Sequence, residues 1–186
     1  MYWCKLKVKS VAIVIFGVML LTCGIACKPG IKNNGAFDLK GFMTKDTARL
    51  KKLNRFVIKT VVHNGVSETK KVQIADWGKE LGLFIDADIN KPGWKNSYTV
   101  IDEDSLLIYR AKDDPQHPKL IVRYLIIKKG RQKVKSILIY TKAKNVLYQS
   151  TQRLTYFPDS LYEIITEQKV KLLQKNVYKI RGIIIK

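Results

Sequence analysis

The chain has 186 residues, of which 46% are hydrophobic and 27% charged. This composition suits one domain with its own core and excludes a disordered chain. With 35 Lys and Arg against 15 Asp and Glu, the net charge is +20, which favours anionic partners. The only cysteines are Cys4, Cys23 and Cys27, so the rest of the chain has no internal disulfide and no thiolate metal site.

The first 27 residues have the pattern of an export signal. Three lysines form a short basic segment: Lys5, Lys7 and Lys9. An apolar run from Val11 to Leu21 follows, and this length is typical of a signal peptide. The run leads into Leu21-Thr22-Cys23-Gly24-Ile25-Ala26-Cys27, in which small residues precede a cysteine.

This segment resembles the lipobox of bacterial lipoproteins, and the resemblance covers the leader only. It implies that a peptidase cuts before the cysteine, whose thiol carries a diacylglycerol and whose new amine is acylated. Cys27 is the better match because Ala26 precedes it, although Gly24 stands where Leu is usual. Cys23 is the fallback, since Thr22 precedes that cysteine. The resulting plan is a signal peptide over 1–26, a lipidated N-terminus and tether over 27–43, and one domain over 44–186.

An uncleaved helix is the alternative. The 17 residues from Val11 to Cys27 are at the short limit for crossing a bilayer and would hold the protein in the inner membrane. Lipoproteins with Asp beside the cysteine tend to stay in that membrane, whereas Lys28 is the neighbour here. The resemblance therefore implies anchoring in the outer membrane, facing the periplasm.

Export also changes the expected partners. The mature chain keeps 32 basic and 15 acidic residues, a net charge of +17. Nucleic acid is then no longer expected, and the anionic partners become lipid head groups, lipopolysaccharide phosphates or acidic glycans. The membrane is a partner through the N-terminal lipid, and a protein partner remains open.

Two helices are predicted before residue 90. The first runs from Thr44 to His63, capped by Thr44 or Asp46, because apolar residues recur at helical spacing. Its alternative is a strand over Phe56 to Val62 that turns at Asn64-Gly65, since that segment is rich in β-branched residues. The second runs from about Ser67 to Ile85, and with the first it would form a hairpin.

From Tyr98 onward the hydrophobic pattern has period two. Seven strands joined by short turns are predicted: Tyr98–Ile101, Leu106–Ala111, Leu120–Lys128, Val134–Thr141, Val146–Tyr156, Leu161–Leu172 and Val177–Ile185. The predicted fold class is α+β, with an N-terminal helical hairpin packed on a curved antiparallel β-meander of about seven strands. Curling of the sheet would cover its other face.

Tyrosines and a cluster of cations are the candidate binding features. Eight of the nine tyrosines lie between Tyr98 and Tyr178. They predict a sheet face lined with phenol rings for a sugar or lipid chain, or simply half-buried strands. Around one hairpin tip, five cations predict a site for a phosphate or anionic head group, or a solvated tip that protects an edge: Lys128, Lys129, Arg131, Lys133 and Lys135.

Three triplets are similar to the acceptor sequence of general O-glycosylation systems in some Gram-negative bacteria. Their acceptors are Thr47, Ser105 and Ser160, although Asp-Ser and Asp-Thr are also ordinary cap and turn residues. Asp86, Asp88 and Asn90 begin like a calcium loop, but the rest of that motif is missing. We predict no catalytic residue, metal or cofactor.

The leading hypothesis is a lipid-anchored envelope protein whose basic domain serves binding or assembly. A carrier of hydrophobic cargo, similar in outline to the lipoprotein-localisation carriers, is the alternative and needs an apolar cavity between sheet and helices. An envelope hydrolase is the third hypothesis and needs a cleft with converging ionisable groups.

Overall fold

Residues 36–94, 96–113, 120–131 and 133–185 are described by a computed structural model of the chain. The predicted signal peptide, the acylation sites Cys27 and Cys23 and residues 27–35 of the predicted tether lie outside the described residues. These described residues form one compact unit. No helix in the described part of the chain has both the length and the apolar character needed to cross a bilayer.

Three helices and nine strands are found in the described residues. The helices are α1 (Leu39–Leu53), α2 (Trp77–Glu80) and α3 (Gly82–Asp86). The strands are β1 (Phe56–His63), β2 (Val66–Gln73), β3 (Tyr98–Asp102), β4 (Leu106–Ala111), β5 (Val122–Lys129), β6 (Val134–Lys144), β7 (Tyr148–Phe157), β8 (Leu161–Val170) and β9 (Asn176–Ile184).

All nine strands belong to one antiparallel sheet with the order β2-β1-β9-β8-β7-β6-β5-β4-β3. From β3 to β9 each strand pairs with its neighbour in the sequence, and β1 lies beside β9. The edges β2 and β3 do not pair with each other, so the sheet is open. The predicted antiparallel meander is confirmed, but the number of about seven strands is wrong because the predicted helical region supplies two more.

The predicted helix from Thr44 to His63 is wrong in its second half. α1 ends at Leu53, and Asn54 caps it in the left-handed conformation with φ 45°. The β-branched stretch after it forms β1, which turns into β2 through Asn64 and Gly65. Both turn residues have positive φ, 49° and 90°, which suits a two-residue hairpin. The strand alternative is therefore the one found.

The start of α1 also differs from the prediction. Asp38 caps the helix by accepting a hydrogen bond from the Gly41 N–H at 2.8 Å. Thr44 and Asp46, the expected caps, lie inside the helix instead. Residues 39–43, assigned to the tether from sequence, belong to α1.

The second predicted helix, from Ser67 to Ile85, divides into β2 and two short helices. β2 is an edge strand that is almost wholly exposed on both faces, so it has no period-two pattern to read. Only the later part of the helical pattern is right, because Trp77, Leu81 and Phe84 are buried. The structure has no helical hairpin within the described residues.

The helices cover one face of the sheet, which we call the helix-side face. The space between the helices and the sheet is filled by buried side chains. From the helices and the α2–α3 link these are Leu39, Met43, Leu50, Trp77, Leu81 and Phe84; from the strands they include Leu125, Ile127, Ile137, Ile139, Tyr156 and Tyr162. This dense packing supplies the hydrophobic stabilisation of the domain.

We call the opposite surface the open face, because no described element covers it. Side chains alternate between the faces, so Phe157 points to the open face while Tyr156 points to the helices. On the open face Phe56 is 45% exposed, and Phe157 and Ile183 are 40% exposed. The expectation that curling would cover this face is wrong for the described residues.

Candidate functional site

Two tyrosines of the helix-side face hydrogen-bond to carboxylates on the helices. Tyr156 of β7 donates its hydroxyl to Asp46 of α1. Tyr162 of β8 donates its hydroxyl to Glu80 Oε1 of α2 at 2.6 Å. Burial raises the pKa of both phenols above the ordinary value of about 10, and the hydrogen bonds to the carboxylates raise it further. Both groups therefore act as neutral donors that join the sheet to the helices.

Cations neutralise these two carboxylates. Arg49 Nη2 lies 2.5 Å from Asp46 Oδ1, and its Nη1 lies 2.5 Å from Asp159 Oδ1 in the β7–β8 turn. Lys59 Nζ of β1 lies 2.7 Å from Glu80 Oε1. Because every partner is satisfied within the domain, we interpret both clusters as structural.

The tyrosines do not share one phenol-lined surface. Tyr109, Tyr156 and Tyr162 are buried in the core, as strand propensity alone would predict. Tyr98, Tyr148 and Tyr178 also belong to the helix-side face, and Tyr98 donates to the Val122 carbonyl. Of the tyrosines in the described residues, Tyr124 and Tyr140 lie on the open face.

The open face concentrates positive charge. Strand alternation and register place nine cations on it: Lys71, Arg110, Lys128, Lys142, Lys144, Arg153, Lys169, Lys179 and Arg181. Only two acidic side chains of the strands share the face, Glu163 and Glu167. Glu163 pairs with Lys179 at 3.0 Å and Glu167 with Lys175 at 2.7 Å. The face therefore presents a strongly positive surface to solvent.

Half-exposed apolar side chains accompany these cations. Phe157, Leu161, Ile183 and Ile58 stand opposite one another in register across β7, β8, β9 and β1. Phe56 extends this group, and Lys71 Nζ lies 4.6 Å from the centroid of its ring. The surface can thus make apolar as well as ionic contacts.

One cross-strand row on the open face combines two arginines with two aromatic rings. Arg110 of β4 is opposite Tyr124 of β5, which is opposite Tyr140 of β6, which is opposite Arg153 of β7. The two rings have centroids 6.3 Å apart, and the Arg110 guanidinium lies 5.9 Å from the Tyr124 ring. We call these four residues the Arg-Tyr row. Sequence reasoning missed it, because only the strand register brings the four positions together.

The cations of the predicted anion site surround the β5–β6 turn but do not share one side. Lys128 belongs to the open face, whereas Lys129 pairs with Asp102 of β3. Arg131, Lys133 and Lys135 are exposed. Within the described residues, this turn adds cations beside the open face without forming a pocket of its own.

The far end of the helix-side face carries a row of polar side chains. Thr141, Gln152, Thr166, Tyr178 and His63 form one row across five strands. His63 stacks on Tyr178 with ring centroids 4.2 Å apart. These two residues line a shallow cleft of about 360 Å³ at the β8–β9 turn. His63 Nε2 lies 2.8 Å from Asn176 Oδ1, another group of this cleft.

The remaining candidates from sequence have these positions. Ser105 and Ser160 are exposed, whereas Thr47 is 7% exposed and donates to the Thr44 carbonyl oxygen. Asn90 donates to Asp88 Oδ1 and to the Phe37 carbonyl, so it closes a turn against α1. No cluster of three or more metal-ligating side chains occurs in the described residues.

Comparison with known protein families, with curated proteins and with solved structures finds no match for this chain.

Proposed function

We propose that this protein is a lipid-anchored cell-envelope lipoprotein whose β-sheet domain binds anionic envelope material through the open face. The observation that carries the proposal is the distribution of charge, with nine cations and two paired acids on a face that no described element covers. Long-range attraction to this face would concentrate a polyanion there. The predicted leader supports an envelope address, and Cys27 would carry the lipid.

The packing of the domain favours a binding surface over a carrier. A carrier needs an apolar cavity between sheet and helices. In the described residues that space is occupied by Trp77, Phe84, Tyr156, Tyr162 and the aliphatic core. Two hydrogen-bonded carboxylates further hold the helices against the sheet. An envelope hydrolase has no comparable support, since the structure brings no catalytic group set together in the described residues.

The anchor is tested by Cys27→Ser in a Gram-negative host that expresses the full chain. We expect the wild-type protein to remain with the membrane after a high-salt wash and to show the mass of an acylated Cys27 N-terminus. Cys27→Ser should lose the acyl mass and either become soluble or keep its leader, because the thiol that would carry the diacylglycerol, with its two acyl chains, is gone. Cys23→Ser is the matched control and should leave acylation unchanged. Acylation that persists in Cys27→Ser would contradict the assignment.

The binding surface is tested by neutralising three cations of the open face. We expect the triple variant Lys142→Gln, Lys144→Gln and Lys169→Gln, made in the full chain in a neutral detergent, to bind dextran sulfate about tenfold more weakly. Its matched control replaces three exposed lysines of α1 by Gln: Lys45, Lys51 and Lys52.

Both triple variants have the same net charge, so a difference between them reports position rather than charge. The affinity of each is measured from binding isotherms at several salt concentrations. Equal losses in the two variants would show that the open face is not the binding surface. Failure of the wild-type chain to bind at low salt would overturn the proposed function itself.

A further inference from the structure

The Arg-Tyr row is a regularly arranged set of side chains on the open face that can bind a ligand. Its four side chains belong to four consecutive strands and stand opposite one another in the strand register. Tyr124 is 36% exposed, and Arg110 and Arg153 are exposed. The Arg-Tyr row therefore places two aromatic rings between two guanidinium groups, all on the same face of the sheet.

The recorded contacts of the row are between its own members, Arg110 with Tyr124 and Tyr124 with Tyr140. Among the described residues, neither arginine forms an ion pair and neither phenol hydroxyl forms a hydrogen bond. The two acidic side chains of the strands on this face, Glu163 and Glu167, pair with Lys179 and Lys175 instead. Tyr156 and Tyr162 of the other face contrast with this, since both of their hydroxyl groups are bonded to carboxylates.

The chemistry of the row fits a sugar chain that carries negative charge. An aromatic ring packs against the apolar face of a pyranose ring, and its hydroxyl can bond to sugar hydroxyl groups. A guanidinium binds a carboxylate or phosphate with two parallel hydrogen bonds. A row that has both groups can hold rings in its middle and charges at its ends.

The spacing of the row also fits a linear polymer. Adjacent strands lie about 4.8 Å apart, so the three steps from Arg110 to Arg153 span about 14 Å. The repeat of a linear chain of pyranose rings is close to the spacing of strands. A sugar chain lying across β4 to β7 would therefore meet one side chain of the row at each repeat.

We propose that Arg110, Tyr124, Tyr140 and Arg153 form a subsite for an acidic glycan that lies across β4 to β7. The subsite deepens the proposed function, on which it rests. The tyrosines stack on sugar rings, and the arginines pair with carboxylate or phosphate groups of the same chain. Positive charge elsewhere on the face raises the local concentration of the polymer without selecting it.

The test measures binding of oligogalacturonate, a chain of carboxylated sugar rings, to the full-length protein in a neutral detergent. We expect Tyr124→Ala with Tyr140→Ala to weaken binding at least tenfold although the net charge is unchanged. Tyr124→Phe with Tyr140→Phe keeps the rings and should stay within threefold of the wild type. Thermal unfolding of each variant confirms that the domain is folded.

The arginines are tested beside a charge-matched control. Arg110→Gln with Arg153→Gln should weaken binding at least tenfold, and Lys45→Gln with Lys51→Gln on α1 should weaken it less than threefold. Dextran, a neutral glycan, should bind at least tenfold more weakly than oligogalacturonate. These outcomes together support a subsite that binds both the sugar rings and the negative charges of the glycan.

Three results would overturn the subsite. Binding that is unchanged in the double Tyr→Ala variant would leave charge alone as the determinant. Equal losses from the arginine pair and the α1 lysine pair would remove the specific role of the row. Tighter binding of a single-stranded oligonucleotide of equal charge would assign the row to nucleic acid. If the variants of the Arg-Tyr row bind oligogalacturonate as the wild type does, while the Lys142, Lys144 and Lys169 triple variant still binds dextran sulfate more weakly, the subsite is wrong and the proposed function stands.

Discussion

Replacement of Gly182 by Ala is expected to lower the free energy of unfolding by about 1–3 kcal/mol, and replacement by Val to cost more. Gly182 of β9 is paired with Tyr162 of β8, whose ring lies over it. A Cβ atom at this position would come within 2.2 Å of Cε1 and Cζ of that ring. The ring cannot move aside easily, because the Tyr162 hydroxyl is bonded to Glu80 and its edge contacts Trp77.

A second glycine supplies the control for this prediction. Gly82 begins α3, and a Cβ atom there would meet nothing within 4 Å. Gly82→Ala should therefore be neutral or slightly stabilising, since Ala is the better helix former. Chemical denaturation of each variant gives the comparison. In a Tyr162→Ala background the added cost of Gly182→Ala should largely disappear; an equal cost in both backgrounds would contradict the steric explanation.

Removal of the Asp46 carboxylate is expected to lower the free energy of unfolding by an amount comparable to that of the Gly182 replacement. Asp46→Ala leaves the Tyr156 hydroxyl, in a residue that is 0% exposed, without its acceptor. It also leaves Arg49 with one carboxylate in place of two. Loss of a buried partner of this kind costs about 2–4 kcal/mol. The free energy of unfolding from urea titration measures it.

A double-mutant cycle separates the hydrogen bond from the other contacts of Asp46. Tyr156→Phe removes the donor, so Asp46→Ala should cost about 1–3 kcal/mol less in that background than in the wild type. Asp104→Asn, in an exposed turn, is the matched control and should change stability by less than about 0.5 kcal/mol. Fully additive losses in the cycle would show that the Tyr156–Asp46 contact contributes nothing of its own.

The part of the fold that sequence predicted best is the meander. Burial alternates along its central strands, as in the first six residues of Leu161–Val170, where Tyr162 and Ile164 are buried and Glu163 faces outward. Short turns of ordinary chemistry separate them, and neighbouring strands with such links pair antiparallel. Local pattern and tertiary structure agree there, so reading the pattern was sufficient.

The prediction of two helices before residue 90 was wrong because the same residues fit both a helical period and a strand pattern. Leu50 and Val57 satisfy a helical spacing, yet Phe56 to His63 is also a run of β-branched residues ahead of Asn64-Gly65. Pairing with β9, which is more than a hundred residues away, decides between them. β2 has almost no buried residue, so its sequence shows no period-two hydrophobic pattern. Its strand conformation depends on pairing with β1.

The candidate site shows the same division. The surplus of basic residues, and with it the expectation of an anionic partner, follows from composition alone. The tip lysines could be located from sequence because they are neighbours in the chain. Arg110, Tyr124, Tyr140 and Arg153 are separated by more than ten residues at each step, so only strand register and the choice of face unite them.

The sequence by itself determined the charge of this protein, the period-two pattern from Tyr98 onward and the lipobox-like pattern that ends at Cys27, because each of these is a property of neighbouring residues. Tertiary structure alone decided that Phe56–His63 is a strand, which face of the sheet the described helices cover, and which cations and rings share the open face. These outcomes depend on pairing between distant strands, and a shift of register by one residue would move every side chain to the other face.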